Sequence, residues 1–304
     1  MKIFASRSRN KIKEGNTAVT VMLYITVAII GFVTLYPMYY VLILSLSDPA
    51  VAATMRVYTV PQGFTLEAFR VIVVDSAMWR AYANTIFYAA TTTVLMLITS
   101  VLGAFFLTYK NLVGRKYITI FLLIPMFFSG GMIPSFLLIV RLGLLNSPWS
   151  QIIPASFSIW NIILVKAFFS SIPESMREAA KMDGANVYQI LMYVYVPMSQ
   201  AILAVLAVFT IVAVWNSWFA ALLYLHRLDW QPLQLYLRRV LVEQTVNLMH
   251  IMDPDAAREL ALRQMSNAQL RYAMIIFTTL PVLLTYPFFQ KYFVKGVMLG
   301  SLKE

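Results

Sequence analysis

The sequence predicts an all-α polytopic membrane protein with six transmembrane helices and cytoplasmic N- and C-termini, and three observations carry that reading. The 304 residues are 60% hydrophobic and only 12% charged, with a mean hydropathy of +0.73. That balance is too apolar for a soluble domain of this size. Six windows free of Asp, Glu, Lys and Arg lie between Glu14 and Asp48, Arg80 and Lys110, Lys116 and Arg141, Arg141 and Lys166, Asp183 and Arg227, and Arg271 and Lys291. A helical crossing needs ~20 residues, and an ionised group at mid-bilayer costs at least ~2.5–3.5 kcal/mol on insertion scales. Each window therefore holds one span. With the N-terminus inside, more than half of the 24 Lys and Arg fall on the cytoplasmic side, the orientation that basic flanks favour.

Taken in order, residues 1–17 form a cytoplasmic basic tail with Lys2, Arg7, Arg9, Lys11 and Lys13. The apolar run behind it, residues 18–46, exceeds the ~7–15 residues of a cleavable signal core, so it is expected to stay as an anchor. Turn-formers at Asp48-Pro49 and Pro61-Gln62-Gly63 open an external segment, and residues 66–79 read as an amphipathic surface helix. The second span carries Asn84, Tyr88, Thr91 or Thr92, and Thr99 at helical spacing. Two roles fit this stripe: bonding to backbone and neighbouring helices, or lining a solute path.

The third span contains Pro125, Gly130, Gly131 and Pro134 and cannot be one straight helix. The fourth is entered through Asn146-Ser147-Pro148-Trp149, carries Ser158 and Asn161, and ends near Lys166, whose ammonium can snorkel to the headgroups. The fifth is expected from Ser199 to about Leu225 and includes Trp215-Asn216-Ser217-Trp218. Small residues there suit helix packing, while paired indoles beside an amide also suit stacking on a sugar ring. Residues 227–269 form an external loop with a helical stretch and a Glu259–Arg263 pair, a surface suited to a soluble partner. The sixth span, with Pro281 and Pro287, leads to a short basic end. Residues 18–304 thus read as a single transmembrane domain.

Between the fourth and fifth spans lies a polar island over residues 171–198. Ser171 and Glu174 are spaced as a capping box with Pro173 in the first turn, Gly184 is placed to end that helix, and Pro197 limits a second. Within it, Glu178-Ala179-Ala180, Asp183-Gly184 and Val194-Tyr195-Val196-Pro197 resemble the EAA signature of permease subunits of binding-protein-dependent ABC importers. Val194 and Val196 stand where that family usually has Ile and Leu. Residues 168–174, Phe128-Ser129-Gly130-Gly131-Met132-Ile133-Pro134, Leu142-Gly143-Leu144-Leu145 and Trp215-Asn216-Ser217-Trp218 are similar to its carbohydrate branch, nearest the oligosaccharide and polysaccharide-fragment permeases.

The resemblance implies a type I importer permease fold in a bacterial cytoplasmic membrane. It also implies that residues 171–198 couple to two cytoplasmic ATPase subunits through Glu178, Ala179, Ala180, Asp183, Gly184 and Pro197. ATP and Mg would then bind on those subunits, a second homologous permease would complete the pathway, and an extracytoplasmic solute-binding protein would deliver an oligosaccharide. Asn84, Asn161, Trp215, Asn216, Ser217 and Trp218 are the candidate solute-path residues. An importer of amino acids or peptides is the nearest alternative.

Other classes fit poorly. The chain has no G-x-x-x-x-G-K-[ST] phosphate loop. No Asp or Glu lies in any of the six windows, which disfavours an ion-coupled carrier. No cysteine is present, and His226 and His250 stand apart, so no metal site is expected. The net charge of +11 sits at span ends without a groove-binding motif and suits anionic lipids rather than nucleic acid.

Overall fold

The computed structural model describes residues 17–57, 59–109, 112–128, 130–243 and 268–284. The basic tail, His250, the Glu259–Arg263 pair, Pro287 and the C-terminal lysines lie outside the described residues. Among those described, every regular element is helical.

The chain divides into two compact units. In the first, α1 (Thr17–Ser45) is a helix of 29 residues with Pro37 inside it, and its stretch Val19–Ser45 has a mean hydropathy of 2.2 with none of its most apolar window covered by protein. Such a face suits lipid or a partner helix. Its final turn is buried, where Ile43 and Leu44 meet Val57, Tyr40, Val51 and Tyr272. The short α2 (Pro49–Thr54) is capped by Asp48, whose carboxylate accepts from the Ala50 N–H at 2.8 Å.

The second unit is arranged around α4 (Ser76–Thr108), 33 residues long and hence roughly 50 Å from end to end. The expected surface helix over 66–79 is two elements. The helix α3 (Glu67–Val74) stops, and Asp75 caps α4 by accepting from the Ala77 N–H at 2.9 Å, so Trp79 belongs to the span. The helices packed most extensively on α4 are α7 (Trp149–Ser156), α8 (Ile159–Ser170) and α12 (Gln200–Trp215). Contact with α8 is close at Gly103, where an added Cβ would lie 3.2 Å from the Ile162 side chain.

The third window holds two helices, α5 (Arg115–Phe127) and α6 (Met132–Arg141), with Gly131 at φ +85° before the second. In the fifth window, the helix over Val187–Met198 turns through 78° into α12. The expected continuous span to Leu225 ends early: α12 stops at Trp215, and α13 (Phe219–Tyr224) follows separately. A 3-10 turn over Leu228–Trp230 and α14 (Leu233–Glu243) follow in this unit. Among the described residues, three stretches are long and apolar enough to cross a membrane, or up to five when each bent pair counts as one. The sixth window is described only as α15 (Ala268–Leu284), a shorter apolar helix.

Candidate functional site

One candidate site forms at the Tyr109 end of α4, from the polar island. Its first helix, α9 (Glu174–Met182), begins after Pro173 with no side-chain cap. Ser171 does not cap it, contrary to the sequence expectation. That residue closes α8 instead, its hydroxyl donating to the Phe168 carbonyl at 2.7 Å, while Glu174 accepts from the Arg177 guanidinium. The capping box stands one helix later, where Asn186 Oδ1 accepts from Gln189 N–H at 2.9 Å and Gln189 Oε1 from Asn186 N–H at 2.8 Å.

Gly184 ends α9 as expected. At φ +80° it lets the Ala185 N–H reach the Ala180 carbonyl and its own N–H reach Lys181, both at 3.0 Å. The second helix starts as α10 (Val187–Ile190), widens into a π-turn over Leu191–Tyr195 and closes with α11 (Val196–Met198). In a regular α-helix Pro197 would lack a donor and crowd the carbonyl four residues back. The wide turn relieves that conflict, and the helix ends just past Pro197, at Ser199.

The two faces of α9 differ. Ile172, Ala180 and Ala185 pack on a core that joins Ala104 and Phe105 of α4 to Val165 and Phe169 of α8 and to Ile190, Leu191, Tyr195 and Leu206. Phe105, Phe169 and Tyr195 meet edge to face, and the Arg177 guanidinium lies 5.6 Å from the centre of the Tyr109 ring. On the other face, Glu178, Ala179, Lys181, Met182 and Asp183 are exposed. Among the described residues, the Glu178, Lys181 and Asp183 side chains have no hydrogen bond or ion pair.

In the same polar segment Met182 is 88% exposed, Tyr188 and Tyr193 both 77%, and Val187 is exposed as well. Sequence reasoning missed these exposed apolar side chains. Their signal is apolar side chains inside a charged island that lipid cannot cover, a mixture that suits a protein partner. A cavity of about 500 Å³ beside α9 is lined by Arg115, Glu174, Arg177 and Tyr195 among others.

At the opposite end of α4 the expected solute-path residues separate. The Asn84 amide donates to the Asp229 carbonyl at 2.7 Å and the Gln231 carbonyl at 3.1 Å, Tyr88 donates to Trp230 O at 2.6 Å, and Thr85 Oγ1 accepts from Leu233 N–H at 2.8 Å. Thr99 donates to Ser156 O at 2.7 Å. Asn84, Tyr88 and Thr99 of this stripe thus bond to backbone, while the buried Thr92 hydroxyl has no partner among the described residues. Tyr236 donates to Asp75, and burial together with that bond pushes its phenol well above the ordinary range. Arg80 pairs with Asp229 on the surface.

Trp215 is buried, edge-on to Tyr82 and donating to Thr278 O at 3.3 Å. Asn216 caps α12, its amide donating to Val212 O at 2.9 Å, and Ser217 lies in the break. Trp218 faces elsewhere, under the Arg238 guanidinium at 4.7 Å. The two indoles therefore form no shared platform. Asn161 sits in the first turn of α8, its N–H donating to Ser158 Oγ at 3.3 Å. Among the described residues, no group of three His, Cys, Asp or Glu is placed to hold a metal ion.

Comparison with known proteins agrees with this architecture. The chain is 31% identical over 288 residues, 95% of its length and 99% of the relative's, to the polygalacturonan/rhamnogalacturonan transport system permease protein YtcP of Bacillus subtilis (strain 168). It is 31% identical over 90% of its length, and 91% of the relative's, to Protein LplC of the same organism. A chain in the crystal structure of a bacterial ABC transporter involved in the import of the acidic polysaccharide alginate superposes with a TM-score of 0.81 at 32% identity, over 96% of this chain and all of that one. Residues 101–299 match the family of binding-protein-dependent transport system inner membrane components. With its helical permease fold and that match, the chain belongs to the inner membrane permease components of binding-protein-dependent ABC importers.

Proposed function

We propose that this chain is the non-catalytic permease subunit through which an ATP-driven importer moves oligosaccharides across a bacterial cytoplasmic membrane. Similarity over nearly the whole chain to a polygalacturonan/rhamnogalacturonan permease and to an alginate importer chain favours saccharide over amino-acid or peptide cargo. The observation that carries the coupling role is the unpaired charged face of α9, in a segment that also exposes Met182, Tyr188 and Tyr193 and is anchored from behind on α4 and α8.

In this reading that face seats in a cytoplasmic ATPase subunit, one of two, and ATP with Mg binds there. Glu178 makes the ionic contact, worth roughly 1.5–3 kcal/mol for a charge-assisted hydrogen bond. Ala179 permits close approach, Ala180 holds the rear face, Asp183 and Gly184 close the helix, and Pro197 ends the segment. When the ATPases close, α9 moves, and the aromatic core carries the displacement into α4. The far end of α4 holds the backbone of residues 229–233. Rocking of such rigid parts beside a second permease gives alternating access. A solute-binding protein docks at that far side.

The test is co-purification. Glu178→Lys in the full importer should insert normally yet lose most of its bound ATPase; a normal yield of assembled complex would remove the coupling assignment.

A further inference from the structure

A cavity of about 400 Å³ opens between α13 and α14, with Leu222, His226, Gln231, Leu235, Arg238 and Arg239 among its walls. A neighbouring cavity of about 230 Å³ shares Gln231 and Arg239. Two features make the first a built site. Arg238 and Arg239 are half-buried, and neither pairs with a carboxylate among the described residues. Each lies over an aromatic ring and not on a carboxylate, so its N–H groups are left to bind an anion. Gln231 is only 9% exposed, and its Oε1 is a buried acceptor that no described group satisfies. An orphaned acceptor of this kind calls for a donor that is not yet there.

The chemistry of these groups specifies the ligand. Two guanidinium groups require an anion, and their planar forks match a carboxylate. The Arg238 guanidinium lies 4.7 Å from the centre of the Trp218 ring, a cation–π contact that uses the ring face and leaves the N–H groups to find other acceptors. Arg239 lies 5.5 Å from the Tyr236 ring centre. The Gln231 acceptor requires a hydroxyl, and the Leu222 and Leu235 side chains match the C–H face of a sugar. A group that is at once carboxylate, polyol and partly apolar is a uronic acid ring.

We propose that this cavity receives a uronate residue of the transported oligosaccharide, with Arg238 and Arg239 on its carboxylate and Gln231 Oε1 accepting from a ring hydroxyl. The proposal rests on the saccharide-import reading above, and it adds where acidity is recognised on this chain. Arg238 is the specificity-determining residue, and Trp218 positions it.

The experiment uses the whole importer, purified with its partner subunits. Binding of trigalacturonate and of its carboxyl-reduced neutral counterpart is measured by titration calorimetry, and uptake of both is followed in proteoliposomes with the solute-binding protein. Wild type should bind the acid at least about tenfold more tightly, the scale of one charged contact. Arg238→Gln should abolish that preference while leaving neutral binding in place. Arg238→Lys, which keeps charge without the fork or the same stacking, should retain part of it. Equal wild-type affinity for the two probes overturns the proposal, as does an undiminished preference in Arg238→Gln, and saccharide import then still stands if the neutral probe is taken up. Uptake of neither probe by wild type removes the import reading and this proposal together.

Discussion

The Tyr88 hydroxyl donates to the Trp230 carbonyl at 2.6 Å, across 142 positions of sequence. One turn earlier on α4, Asn84 holds the carbonyls of Asp229 and Gln231, so three consecutive-loop carbonyls are fastened to one helix. A loop satisfied in this way moves with α4 rather than independently of it.

Asn84→Leu should therefore strand buried carbonyls and cost about 1–3 kcal/mol, the usual penalty for an unsatisfied buried polar group. Tyr88→Phe should cost less, since it strands one acceptor. The expected signature is a lower thermal midpoint of the detergent-solubilised importer with ATPase still bound. A midpoint equal to wild type in Asn84→Leu would show that the clamp contributes nothing.

Gly184 stands at φ +80° with open space around it, since nothing lies within 4 Å of an added Cβ. Gly184→Ala should then cost only the left-handed backbone penalty of about 1–2 kcal/mol, and ATPase co-purification should survive. Gly184→Pro, barred from positive φ and lacking the N–H that reaches Lys181, should lose the partner. Equal behaviour of the two variants in a pull-down would refute the turn's role.

The Tyr109 hydroxyl is buried without a partner among the described residues, while its ring carries Arg177. Tyr109→Phe should keep the cation–π contact, at about 0.5–2 kcal/mol, and match wild type in both stability and transport. Tyr109→Leu should loosen α9, raising ATP hydrolysed per solute moved. Transport stoichiometry in proteoliposomes separates these outcomes, and identical coupling in both variants would exclude Arg177–Tyr109 from the path.

Tyr236 offers a pH test. Its folded phenol is held above the free value of about 10 by burial and by Asp75, so the neutral form is the stabilised one. That contribution is complete below pH 10 and is lost as pH rises through the folded value. The wild-type midpoint should exceed that of Tyr236→Phe throughout the neutral range, and the gap should close in strong alkali. A gap constant to high pH would contradict it.

The helical, apolar character of the chain and the polar island were legible because both follow from one-dimensional rules, the cost of charge in lipid and the turn chemistry of glycine, whereas the breaks within the third and fifth windows left three to five spans among the described residues in place of six. Gly184 and the break at Gly131 stand where backbone preference alone demands them. Local capping was less legible. Ser171 and Asn186 carry equivalent capping side chains, and only the position of α8 decides that Ser171 closes a helix while Asn186 opens one. The stripe of Asn84 and Tyr88 was visible as a periodicity, but its partner is a loop far along the chain, which no spacing rule connects. The Arg238–Trp218 stack was missed for the same reason. Trp215 and Trp218 looked paired until the break at Asn216 turned them to different neighbours.

The central claim is that the exposed face of α9 is gripped from the cytoplasm by a separate motor. A photo-crosslinking amino acid at position 182, replacing a side chain that is 88% exposed and packed against nothing in this chain's core, tests it directly in intact cells. The account predicts an adduct with the cytoplasmic ATPase subunit that weakens when Glu178→Lys is added. An adduct with an extracytoplasmic protein, or an ATPase adduct of unchanged yield in the double variant, would contradict it.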